Sequence, residues 1–164
     1  MKKPVRKENE AVVSKRDDPN YFQFDLDKGI RLQVVEKLES TQSKLLAKGG
    51  GPNDSGIYAL YHHDVLVYVG KASKGTTKSQ RSLRDRLGEH VAKLSGRHGL
   101  SISDINCRYL VFDSEWWVFA AEFALISHYK PEWNDSGFGS KTPGVGRPGT
   151  SRVSKFDAKF PKKS

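Results

Sequence analysis

An α+β domain, with a small three-stranded antiparallel sheet flanked by helices, is the fold class this sequence predicts, and three observations predict it. Apolar and polar residues alternate on both sides of His62-His63-Asp64, which reads as two short strands joined by a tight turn. Apolar residues at helical spacing lie before and after that run. The chain has 164 residues, the size of one domain, and a 36% hydrophobic content that includes 3 Trp, 6 Tyr and 8 Phe, compatible with a single core.

Residues 1–20 have no periodic apolar pattern and are read as a basic, flexible arm. After Tyr21-Phe22-Gln23-Phe24, Asp25 or Asp27 is placed to cap a helix over about 28–47. Its core side would carry Ile30, Val34, Val35, Leu38, Leu45 and Leu46. Gly49-Gly50-Gly51-Pro52 breaks it. The hairpin is expected at 55–62 and 65–70, with Tyr58 and Tyr68 close together and Gly56 and Gly70 leaving room for a ligand's backbone. A second helix over about 80–95 shows the stripe Leu83, Leu87, Val91, Leu94, and Ile105–Phe112 reads as the third strand. Ser114 can cap a strongly apolar third helix that runs to about 128, and Pro131 ends it. The main domain is thus expected over 21–136, followed by a Gly/Pro-rich loop and basic tail over 137–164.

The net charge of +9 is unevenly placed. Residues 1–16 carry six basic and two acidic side chains, residues 71–97 eight and two, and residues 139–164 seven and one. A basic internal segment between basic arms fits a polyanion lying across one face, with nucleic acid as the leading partner. An anionic membrane fits less well, because no basic stretch carries a wide apolar face. No window has the length of a membrane span, and the basic N-terminus lacks the apolar stretch of a secretory signal. One cysteine, Cys107, allows no internal disulfide and sits mid-strand as a core residue. A cytoplasmic protein in a reducing compartment is expected.

Several residues have the chemistry of a site. Glu122 lies inside Ala-Ala-Glu-Phe-Ala-Leu-Ile, where a buried carboxylate needs a cation, either an arginine or other salt-bridge partner or a hard divalent ion, unless it simply faces solvent. Arg86 and His90, four apart, share a helix face. An arginine can hold phosphate and a histidine can move a proton near neutrality, although such pairs are mostly solvated surface. Lys71 is either an ordinary exposed lysine or a cation that makes a nearby phenol more acidic. Tyr58 and Tyr68 taken alone are two strand tyrosines of the core. Two motifs are set aside. Gly144–Gly149 fits a dinucleotide fingerprint only in letters, since no strand precedes it. His62-His63-Asp64 is explained by a polar turn without a metal.

Gly-Ile-Tyr58 followed ten residues on by Tyr68-Val-Gly, then Arg86, His90, Glu122 and Asn134 in that order, resembles the GIY-YIG nucleases. The likeness covers about residues 21–147 and is similar to the small Type II restriction endonucleases typified by cutters of CCGCGG. The Tyr-Val-Gly-Lys-Ala run and the Gly-Phe-Gly…Pro-Gly-x-Gly-Arg loop support it. Ser140-Lys141-Thr142 within that loop departs from the pattern. The resemblance implies the GIY-YIG nuclease fold and Mg²⁺-dependent phosphodiester hydrolysis, with Mn²⁺ able to substitute. Tyr58 would be the general base, made more acidic by Lys71, with Tyr68 and His90 orienting it or relaying its proton. Arg86 would bind the scissile phosphate, Glu122 the metal, and Asn134 would support that end of the site. Lys141, Arg147 and Arg152 would contact DNA, the two arginines as base readers. Lys74, Lys78, Arg81 and Arg97 would contact phosphates. The partners implied are double-stranded DNA with a short palindromic site and a second copy in a homodimer. A nicking, homing or repair nuclease is the alternative, and a non-catalytic DNA-binding protein on the same fold is a third reading.

Overall fold

Strand alternation divides this protein into two cores. The computed structural model describes residues 26–75, 77, 80–139 and 153–163. Among them, four α-helices and four strands follow in the order α1 (Leu26–Ser40), β1 (Lys44–Leu45), β2 (Gly56–His62), β3 (Val65–Ala72), α2 (Leu83–Ser95), β4 (Ile105–Val111), α3 (Glu115–Tyr129) and α4 (Lys155–Lys159), with a 3-10 turn at Ile102–Asp104 before β4. The sheet is antiparallel throughout, in the order β1-β4-β2-β3. On β2, Ile57 and Ala59 point to one face and join α1 and α3 around Val34, Leu38, Val118 and Leu125. Tyr58 and Leu60 point to the other and join α2 and α4 around Leu83, Leu87, Leu94, Trp133 and Phe156.

The hairpin follows the expected spans closely. His63 and Asp64 both adopt positive φ, 49° and 64°, in the two-residue turn. The fourth strand is the main addition to the expected sheet. It arises because α1 stops at Ser40, seven residues before the expected end. The run Ser40-Thr41-Gln42-Ser43 explains the stop, since short hydroxylated side chains compete for backbone partners. Ser40 Oγ donates to the Lys37 carbonyl at 2.8 Å and Thr41 Oγ1 to the Leu38 carbonyl at 2.7 Å. Leu45 and Leu46 therefore leave the helix. Lys44 and Leu45 pair with Cys107 and Asn106, Leu45 is exposed, and Leu46 is fully buried beneath the sheet. Of the two expected caps for α1, Asp25 lies outside the described residues and Asp27 lies inside the helix.

The other helix ends follow local chemistry. Ser82 opens α2 in a capping box, accepting from the Asp85 amide while the Asp85 carboxylate accepts from the Ser82 amide. Ser114 stands at the N-cap of α3, although its side chain makes no capping hydrogen bond. Lys130 closes α3 in a left-handed conformation before Pro131. Among the described residues no helix is long and apolar enough to cross a membrane.

The packed body does not end at 136. Phe138, Phe156 and Phe160 are buried with Trp133, the rings of Trp133 and Phe156 meeting edge-on at 5.2 Å. Arg97, expected to contact phosphates, is turned inward to hold this segment. Only 5% exposed, it pairs with Asp157 at 2.6 Å and donates to the Phe160 carbonyl at 3.0 Å. A buried, paired guanidinium is not available to DNA, so that assignment is corrected. If α4 is part of the core, Phe156→Ala should lower the unfolding free energy by about 3–5 kcal/mol in urea titration. A loss below about 1 kcal/mol would mean that the tail is only appended.

Candidate active site

The β2–β3 register brings the two tyrosines together. Tyr58 pairs with Gly70 and Leu60 with Tyr68, so both phenols lie on the α2 face, one diagonal step apart. Their ring centroids are 6.1 Å apart. Gly70 is required for this approach: a Cβ there would stand 2.6 Å from Tyr58 Oη and 2.9 Å from the Tyr68 ring. Gly139 does the same from the loop after α3, since a Cβ there would stand 2.2 Å from Tyr68 Oη. Space expected to admit a ligand's backbone is thus filled by the protein. The tyrosines use it at Gly70, and the Leu110 carbonyl, 2.1 Å from a Cβ at Gly56, uses it there.

The helix α2 supplies the partner. Tyr58 Oη and His90 Nε2 are 2.7 Å apart in the buried layer between sheet and helix. Phe138 stacks on the His90 ring at 5.0 Å and meets Tyr68 edge-on at 4.9 Å, shutting the imidazole away from water. Burial, reinforced by Lys93 and Arg86, lowers the His90 pKa to about 3. A neutral imidazole carries one N–H, so in the tautomer protonated at Nδ1 the Tyr58 hydroxyl donates to Nε2, and in the other it accepts from it. Burial, with Tyr68 alongside, raises the Tyr58 pKa well above the usual phenol value, and Arg86 opposes the rise. Tyr68 is pushed up to about 12, chiefly by burial and then by Glu122. Both phenols are therefore protonated at neutral pH.

Lys71 does not activate Tyr58. One residue beyond Gly70, its side chain points to the opposite, α3 face of the sheet. There its ammonium pairs with Glu122 at 3.1 Å and lies 4.5 Å from the Phe119 ring centroid. The cation that acts on the phenols is Arg86. Glu122 is 20% exposed; burial raises its carboxyl pKa, and Lys71 draws it back through charge and through hydrogen bonds from side chain and backbone. Its charge raises the pKa of both Tyr58 and Tyr68, while that of Arg86 lowers them.

Asn134 is a clamp. Its Oδ1 accepts from the Val69 amide at 2.9 Å and its Nδ2 donates to the Val69 carbonyl at 2.8 Å. With the Trp133 amide on the Val67 carbonyl, it covers the free edge of β3 next to Tyr68 and Gly70.

Glu89 stands inside the helix motif and was given no role by sequence reasoning. Its carboxylate bridges Arg81 and Arg86, each at 3.1 Å. Phe138 was likewise missed, although the Gly-Phe-Gly run was the signal that contained it. Lys74 is exposed and 3.9 Å from Asp54. Lys78, Lys141, Arg147 and Arg152 lie outside the described residues.

The imidazole's environment predicts a pH dependence. The unfolded chain protonates this histidine near about 6.5 and the folded one only near 3. Between those values the unfolded state binds more protons, so stability falls as pH drops through that window. Denaturant titrations at pH 7 and pH 4 should show a smaller loss in His90→Gln than in wild type. An unchanged loss would mean that His90 is not buried as a neutral ring.

The family model for the Eco29kI GIY-YIG domain matches residues 61–163. Solved structures also resemble the chain, two of them forms of one domain. One is the GIY-YIG N-terminal endonuclease domain of UvrC from Thermotoga maritima bound to its catalytic magnesium, at 24% identity over 62% of this chain and 96% of that one, with a TM-score of 0.37. The other is a point mutant of that domain bound to its catalytic divalent cation, at 22% identity over 62% and 94%, with a TM-score of 0.34. No curated protein matches the chain. The family match spans more than half of the sequence and includes Tyr68, Arg86, His90, Glu122 and Asn134: the chain belongs to the Eco29kI GIY-YIG domain family and is a GIY-YIG nuclease domain.

Proposed function

We propose that the protein is a site-specific Type II restriction endonuclease that hydrolyses phosphodiester bonds of double-stranded DNA with Mg²⁺. The observation that carries this reading is the 2.7 Å contact between Tyr58 Oη and His90 Nε2, within the fields of Arg86 and Glu122. A phenol with so high a pKa is a poor source of phenolate. It is well suited to a relay in which it stays neutral: its oxygen takes a proton from the attacking water as its own proton passes to His90. The negative charge of a bound phosphate favours the imidazolium that results. Arg86, once released from Glu89, holds the scissile phosphate and offsets its growing charge.

Glu122 is the residue that would hold the ion. Magnesium binds through one or two carboxylates and keeps several waters, so a single hard oxygen donor fits, with Lys71 balancing its charge in the free protein. When bound, the ion supplies Lewis-acid stabilisation of the phosphate and of the leaving oxygen. Tyr68 packs beside Tyr58 and orients it, and Asn134 keeps that strand in place.

DNA would lie along the α2 side, where Lys48, Arg81 and Arg84 line a surface cleft of about 590 Å³ beside Glu89. Lys74 and Arg81, together with Lys78, would contact phosphates, and Lys141, Arg147 and Arg152 would contact DNA from the loop. Cutting both strands of a palindrome calls for two active sites related by a two-fold axis, hence a homodimer. Trp116, 66% exposed, and Phe123, 61% exposed, make the outer side of α3 the face best suited to pair.

Incubation of long unmethylated bacteriophage DNA with the protein and Mg²⁺ tests the reading on a gel. Discrete fragments are expected; nicks or a smear would point to a repair or homing nuclease, and a band shift without cleavage to a binding protein. Glu122→Ala should abolish cutting and keep binding, and full metal-dependent activity in that variant would remove Glu122 from the ion site. Glu89→Gln should tighten duplex binding without divalent metal by roughly two- to fivefold, because a competing carboxylate leaves the two arginines. Weaker binding in that variant would instead make Glu89 a support for Arg86.

A further inference from the structure

The turn of the β2–β3 hairpin lies about 13 Å along the strand from Tyr58 and takes no part in the reaction. His62 is the last residue of β2 and His63 the first of the turn. In a continuous strand their side chains would point to opposite faces. The left-handed conformation of His63 turns its ring back instead, and the two imidazole centroids lie only 4.2 Å apart. The third member comes from a different part of the chain. His62 pairs with Ile105 in the β2–β4 register, which sets Asp104 beside the turn, and the His63 amide donates to the Asp104 carbonyl at 3.2 Å.

One ligand atom from each of His62, His63 and Asp104 lies within 4.8 Å of the other two. Bonds of about 2.0–2.1 Å around a tetrahedral zinc ion place ligand atoms roughly 3.4 Å apart. His63 is exposed, so rotation of its ring can close the set. His62 is half-buried beside Trp133, with ring centroids 6.0 Å apart, which limits the positions its ring can take. The nearby Lys159 is neutralised by Glu132 at 2.6 Å, so the cluster does not face an unpaired cation there.

We propose that His62, His63 and Asp104 form a second metal site, selective for a first-row divalent transition ion such as Zn²⁺ or Ni²⁺, that ties the hairpin turn to the start of β4. Two imidazoles and one carboxylate suit such ions, whereas Mg²⁺ prefers oxygen donors alone. The remaining coordination positions are open to water. The sequence motif His62-His63-Asp64 supplies two of the ligands. The third is Asp104 and not Asp64, which the letters could not indicate. This site is independent of the nuclease reading.

Calorimetric titration of the untagged protein with Zn²⁺ tests it, carried out in excess Mg²⁺ so that Glu122 is not the acceptor. One equivalent of Zn²⁺ should bind and raise the thermal midpoint. His63→Asn and the isosteric Asp104→Asn should each weaken binding by more than about tenfold, while Glu122→Gln leaves it unchanged. Absence of saturable binding in wild type, or equal affinity in the His63 and Asp104 variants, would overturn the proposal. Loss of the site in Glu122→Gln alone would do the same.

Discussion

A single hydrogen bond between a strand and a helix organises this molecule: Tyr58 on β2 meets His90 on α2 at 2.7 Å. It forms only while the helix lies at a fixed distance above the sheet, and apolar packing sets that distance. Leu83, Leu87 and Leu94 on α2 are fully buried, and with Tyr58 and Leu60 they fix the rotation of the helix. Arg86 lies one turn before His90 and therefore overlooks the same phenols. The Phe138 ring then closes the remaining side, and the buried Phe156 and Phe160 hold it from behind.

The site is built from both layers. Strand alternation sends Tyr58 and Tyr68 to the α2 side and Lys71 to the α3 side, where Glu122 waits. The carboxylate nevertheless raises the phenol pKa values across β3, the edge strand of the sheet. An unpaired strand edge is an aggregation hazard and would let the tyrosine pair shift. Asn134 and Trp133 satisfy the Val69 and Val67 backbone groups along that edge.

The charged side chains around the phenols are paired in the free protein, with cations in excess. Arg86 and Arg81 share Glu89, and Lys71 holds Glu122. The uncharged groups between them are kept neutral by desolvation, with the phenol pKa values raised and the imidazole pKa lowered. Two guanidiniums sharing one carboxylate leave the centre with a positive excess. Under the proposed reaction, a substrate that brings negative charge and a cation would rearrange both pairs at once.

How much of this was legible follows from the range of each interaction. The hairpin, the α2 stripe and the order of Tyr58, Tyr68, Arg86, His90, Glu122 and Asn134 could be read directly, because period-2 and period-3.6 patterns are local. The early stop of α1 was also local, written in Ser40-Thr41-Gln42-Ser43, but the leucines beyond it imitate a continuing helical stripe. Direction and partnership were not legible. Whether Lys71 meets a phenol or Glu122 depends on which face it takes. Whether Arg97 meets DNA or Asp157 depends on where the last helix docks. By itself the sequence determined the elements, the inventory of reactive groups and their order along the chain. Only the tertiary structure decided which cation faces which anion, which groups lose water and where the core ends, because those are set by contacts between residues far apart in the chain.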